Sequence, residues 1–168
     1  MPMKTAAKYL LVFALLGAAY PLDTAAQSAV FEQRFGHVNA TCQRVPKSRE
    51  LVCIVVYAKQ PYLGVQFGSK GDPESVAITA GARREPGTEI VIRVDNHAVH
   101  STTHDGFFDY EAVSMLTEME HGEQITVRFQ STETGVKTAD TIPLADINKA
   151  LKAVREFRKR EKEKDGGI

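Results

Sequence analysis

VNATCQRVPKSRELVCIVVY, Val38 to Tyr57, holds both cysteines of the chain, and its reading decides the fold. The polar segment Val45, Pro46, Lys47, Ser48, Arg49 breaks two apolar arms, and the pattern is that of a hairpin. Cys42 and Cys53 stand on either side of that turn at matching distances. In a hairpin they face each other, where paired residues bring their Cβ atoms within disulfide reach. The second arm, Leu51 to Tyr57, is apolar at both alternating sets of positions, the mark of a strand covered on both sides. It is therefore expected to be a central strand.

Outward from the hairpin, further short strands follow. Leu63, Val65 and Phe67 alternate on one face between the breaker Pro61 and the turn cluster Gly68 to Pro73. Val76 and Ile78 begin a strand that stops at Gly81. Arg83 to Gly87 form a polar loop, and Glu89 to Val94 then places Ile90, Ile92 and Val94 inward before Asp95 and Asn96 turn the chain. Gln124 to Phe129 puts Ile125, Val127 and Phe129 on one face, and a further strand spans Val136 to Ile142. Strands at this spacing predict a mainly β fold, a small antiparallel β-sandwich or barrel-like domain.

Two segments carry helical periodicity. Ala112, Met115, Leu116 and Met119 form a stripe between Tyr110 and His121, with Gly122 as a stop, which predicts a short crossing helix. After Pro143, with Asp146 as N-cap, Ile147, Ala150, Leu151, Val154 and Phe157 predict a C-terminal amphipathic helix packed on the sheet. From Arg158 the charged run has no apolar face. It is expected to leave the body and fray as a tail over 158–168, either solvated or in contact with anionic headgroups or a partner.

The first residues bear on the compartment. Lys4 and Lys8 form a basic region, and Tyr9 to Ala19 is an apolar run too short to span a bilayer with ordinary flanks. Thr24, Ala25 and Ala26 fit a cleavage site, so residues 1–26 read as a signal peptide and Gln27 as the mature start; the alternative is an uncleaved anchor. No cysteine follows the apolar run, which argues against lipid anchoring. No second long apolar run occurs, so the mature protein is expected to lack a transmembrane segment and to be periplasmic or secreted. Removing 26 of 168 residues leaves 142, enough for one domain, read as 27–157. The 21 basic and 21 acidic residues balance, so no net field points to nucleic acid. In an oxidising compartment the two cysteines form one structural disulfide, worth ~3 kcal/mol for so short a loop. A redox couple or metal site fits their spacing less well than CxxC would.

His97, Ala98, Val99, His100, Ser101, Thr102, Thr103, His104, Asp105 gathers three of the five histidines. His97, His100, His104 and Asp105 together would suit a four-coordinate zinc or copper ion. If the segment is extended, His97 and His100 point to opposite faces, so one ion requires a loop between Asn96 and Gly106. Surface histidines, or a pH-sensing role, are the alternatives. Catalytic motifs are missing: there is no GxSxG elbow, no phosphate loop, no HExxH and no GxGxxG. Ser101 and Ser114 have no converging base and acid in sight, and Asp105, Asp109 and Glu111 form no recognisable pair. An enzyme is not expected. Phe107, Phe108 and Tyr110 are candidates for a partner surface, or for core packing under the short helix.

A resemblance draws these features together. A signal peptide, a first cysteine in an early strand, a second some ten residues on, VIRVDNHAV, MLTEMEHGEQITVRFQ and IPLADINKALKAV follow in the order found in the invasion-associated locus B family of exported bacterial proteins. His37 and Val38 stand where that family carries Trp. His104, Phe107 and Phe108 stand near the place of its second cysteine pair. The resemblance implies a periplasmic or surface-associated β-sandwich without a catalytic centre or required cofactor, one that binds or supports a protein partner in the envelope or on a host surface. An envelope inhibitor or immunity protein is the remaining alternative.

Overall fold

The computed structural model describes residues 29–59, 62–68, 76–80 and 84–165. The segment read as a signal peptide and its expected cleavage site lie outside the described residues, as do Pro61, the turn residues 69–73, Gly81, Arg83 and the glycines at 166 and 167. The strands are β1 (Ala29–Phe35), β2 (Val38–Arg44), β3 (Leu51–Tyr57), β4 (Leu63–Phe67), β5 (Val76–Ala80), β6 (Ile90–Val94), β7 (Val99–Thr102), β8 (Phe107–Phe108), β9 (Gln124–Gln130) and β10 (Lys137–Pro143). The helices are α1 (Asp109–His121) and α2 (Ala145–Asp165). None of the described helices is long and apolar enough to cross a membrane.

Two antiparallel sheets result, a six-stranded one in the order β1-β2-β3-β4-β5-β8 and a four-stranded one in the order β10-β9-β6-β7. The arrangement is a sandwich of open sheets rather than a closed barrel. In the hairpin, Val45 N–H donates to the Glu50 carbonyl and Arg49 N–H to the Val45 carbonyl, both at 2.8 Å. Arg49 takes the left-handed conformation that lets so tight a connection close, with φ 56°. The resulting register sets Cys42 against Cys53 and Ala40 against Val55, and the two cysteines are bonded. β3 is an inner strand as expected, although only one of its faces is fully covered: Cys53 and Val55 are buried, while Ile54 and Val56 opposite are half-buried.

A single core is drawn from both sheets and both helices. α2 packs across β1, β2 and β3, and Phe31 of β1 stacks on Phe157 with ring centroids 4.9 Å apart. α1 packs on β5, β8 and β6, burying Ala112, Met115, Leu116 and Met119.

Several expectations are corrected. β1 adds a strand to those the sequence pattern predicts, because only Phe31 and Phe35 of its residues turn toward the core. The span Asn96 to Gly106 is not all loop, since β7 pairs with β6 from Arg93↔Val99 to Ile90↔Thr102. Asp146 is not the N-cap of α2; it lies inside the first turn, where its carboxylate complements the helix dipole and pairs with Lys149 at 2.9 Å. The chain beyond Phe157 does not fray at once. α2 continues to Asp165, Arg158 is buried, and Glu161 meets Arg44 of β2 at 2.7 Å, so the packed domain extends past 157. Gly122 ends α1 with an extended backbone rather than a left-handed one. What requires glycine there is space: a Cβ would stand 2.5 Å from Val94 Cγ1 and 2.9 Å from Asp95 Oδ2.

Candidate functional site

The histidine-rich segment folds as a turn, the strand β7 and a loop, and this disperses its ligand candidates. His97 is exposed in the turn after β6, with its backbone N–H bonded to the Val94 carbonyl at 2.8 Å. His100 pairs in register with the inward-facing Ile92, so its ring points toward α1. There Nε2 lies 3.1 and 3.2 Å from the two carboxylate oxygens of Glu118, and Nδ1 lies 3.9 Å from Glu111. His104 and Asp105 are held in the loop by Arg84 instead. The Arg84 side chain, 8% exposed, donates to the carbonyls of Thr88 and His104 and pairs with Asp105 at 3.4 Å. His97, His100, His104 and Asp105 therefore do not converge. Among the described residues no three His, Cys, Asp or Glu side chains are grouped to hold a metal ion. What His100 does is join α1 to the edge strand through two carboxylates.

The aromatic candidates also divide. In β8, Phe107 pairs with Ile78 and is buried, so it belongs to the core rather than to a partner surface. Phe108 leads into α1 with an extended backbone and is 37% exposed; Tyr110 on the first turn of the helix is 87% exposed. A two-residue strand alternates once, which is why adjacent phenylalanines face opposite ways.

The more developed surface is the outward face of the four-stranded sheet. The alternation that buries Ile90, Ile92, Val94, Ile125, Val127 and Phe129 turns Val91, Arg93, Thr126 and Arg128 out. Register then brings these into one patch: Val91 lies between Arg128 and Ser101, and Arg93 between Thr126 and Val99. Together Val91, Arg93, Val99, Thr126 and Arg128 line a shallow depression. Val99 is 61% exposed. Neither Arg93 nor Arg128 forms an ion pair or a side-chain hydrogen bond with any described residue.

No sequence motif marks this patch. Its outward residues follow from the same alternation that locates β6 and β9, but their adjacency depends on β6 pairing with β9 across the whole of α1. Chemically it offers two guanidinium forks, the methyls of Val91 and Val99 and the hydroxyls of Ser101 and Thr126. Searches of protein-family models, curated proteins and solved structures return no match to this chain.

Proposed function

We propose that the chain is an exported envelope protein, periplasmic or surface-associated and of the invasion-associated locus B type, that binds or supports another protein without catalysing a reaction. One observation carries the reading: the outward face of β6, β7 and β9 presents Val91 and Val99 beside two arginines that have no partner among the described residues. Arginine is enriched among the residues that carry binding energy at protein interfaces, and Val99 sets exposed apolar surface beside these two. The Cys42–Cys53 bond supports export, because such bonds persist in oxidising compartments.

The test is site-specific photo-crosslinking in the native envelope, with the reactive side chain placed at Val99 and, as a control, at the exposed Lys152 on α2. A discrete protein adduct from Val99 and none of the same size from Lys152 is expected. No adduct at Val99, or identical adducts at both positions, would overturn the reading.

A further inference from the structure

We infer that the occupant of the four-stranded sheet's outward face is an acidic segment of a protein, whose carboxylates bridge Arg93 and Arg128 while its apolar atoms cover Val91 and Val99. The inference rests on the protein-binding reading above and names the partner's chemistry.

The first ground is charge placement. Val91 is opposite Arg128, and Arg93 is opposite Thr126, so the two arginines are diagonal neighbours on adjacent strands. Diagonal positions on one sheet face lie roughly 7–8 Å apart, a span that one acidic segment covers. Lys137 is exposed on the same face of β10, opposite Gln130. Within the four strands the outward positions hold these three cations and no Asp or Glu, while two carboxylates stand at the margin: Glu85 accepts a hydrogen bond from the outward Gln130 side chain at 2.7 Å, and the exposed Glu89 directly precedes β6. Asp140 of β10 falls at an inward register position, opposite Val127. The chain as a whole carries 21 basic and 21 acidic residues, so the excess of cations around Arg93 and Arg128 is local to the centre of this face.

The second ground is the mixture of surfaces. Polyanions such as nucleic acid, sulfated glycan or an anionic bilayer are held by an extended basic field. Here the arginines are interleaved with valine, threonine and alanine, Arg128 lying between Val91 and Ala139, and Arg93 between Val99 and Thr126. A protein segment that alternates carboxylate and apolar side chains matches both components, since Arg accepts a carboxylate in a paired, planar geometry.

The inference is tested on the mature, disulfide-bonded protein by NMR titration with a short peptide of alternating Glu and Val. Heparin and phosphatidylglycerol vesicles serve as competing probes. Saturable shifts at Val91, Arg93, Val99, Thr126 and Arg128 are expected, with affinity that falls as salt is raised. The double variant Arg93→Glu/Arg128→Glu should weaken peptide binding about tenfold or more, whereas Lys152→Glu should leave it unchanged. If the double reversal disturbs folding, Arg93→Gln/Arg128→Gln gives the same readout. Shifts confined to other surfaces, or tighter binding of heparin or vesicles at this face, would overturn it. The envelope crosslink separates the two claims. If the Val99 adduct persists undiminished in the double variant, the acidic partner is refuted and protein binding stands. If the unmodified protein gives no adduct at Val99, protein binding itself falls.

Discussion

The guanidinium carbon of Arg158, far along α2, lies 5.4 Å from the centroid of the Phe67 ring, and the same group donates a hydrogen bond to the carbonyl of Gly68 at the end of β4. An arginine within a charged run is thereby buried to 4% exposure, at the place where the helix passes over the sheet. Its stem supplies apolar contact and its head a cation over a ring face, two contributions that solvent exposure would cancel. Arg158→Ala should therefore cost ~2 kcal/mol, from the ring contact and the charge-assisted hydrogen bond together. The adjacent Lys159 is exposed, and Lys159→Ala should change stability by less than about 0.5 kcal/mol. Urea unfolding of both variants reads the difference, and equal midpoints would show that the Arg158 contact contributes nothing.

The bond between Cys42 and Cys53 joins directly opposed residues of β2 and β3, both fully buried. It closes a short loop, so the entropy it removes from the unfolded chain corresponds to ~3 kcal/mol. Cys42→Ala/Cys53→Ala should lower the stability by about that amount, with some added loss from core packing. Reduction of the native protein should lower the urea midpoint similarly, and an unchanged midpoint after complete reduction would show that the bond adds no stability.

Gly122 sits where α1 hands the chain to β9, against Asp95. The Asp95 carboxylate accepts from the N–H groups of Glu123 at 2.9 Å and Gln124 at 3.0 Å, tying the helix end to the turn after β6. A Cβ at position 122 would also meet the Glu118 carbonyl at 3.1 Å, and backbone cannot step aside as a flexible side chain can. Gly122→Ala should cost ~2 kcal/mol through overpacking, although the φ of -88° suits alanine. Asp95→Ala should cost ~1 kcal/mol by removing two acceptors, and Asp95→Asn about half of that. Thermal unfolding of the three variants gives the order; a Gly122→Ala protein as stable as the native one would mean that Val94 and Asp95 can move away.

The legibility of the fold follows the range of the forces involved. The hairpin around Pro46, its cysteine register and the inward residues of β6 and β9 are open to reading, because turn chemistry and period-two alternation are local. The stripe of α1 is legible for the same reason. Arg158 is not, since its role depends on Phe67 and Gly68, which no local pattern connects to the end of α2. β7 escapes because its four residues become a strand only by pairing with β6. The histidines are visible as a cluster in sequence, yet β7 sends His100 inward to Glu118 while Arg84 holds the loop of His104 and Asp105. Arg93 and Arg128 become one patch only through the pairing of β6 with β9.

Glu161 supplies a pH dependence whose sign can be worked out. Its carboxylate receives hydrogen bonds from Lys164 at 2.8 Å and from Arg44 at 2.7 Å. These bonds, that of Lys164 first, hold its pKa below the ordinary value of 4.5. The folded protein therefore binds this proton less readily than the unfolded chain does. The contribution is fully present above the unfolded pKa and is lost as pH falls through the folded one, so it disappears on the acid side of 4.5. Glu161→Gln should accordingly be less stable than the native protein near neutral pH. The gap should close as both are titrated from about pH 7 to about pH 3, because the native carboxyl then becomes neutral as well. Urea midpoints across that range give the test. A gap that stays constant would show that Glu161 anchors α2 to β2 by shape and hydrogen bonding alone, and a gap that widens in acid would mean that folding raises the pKa of this carboxyl instead of lowering it.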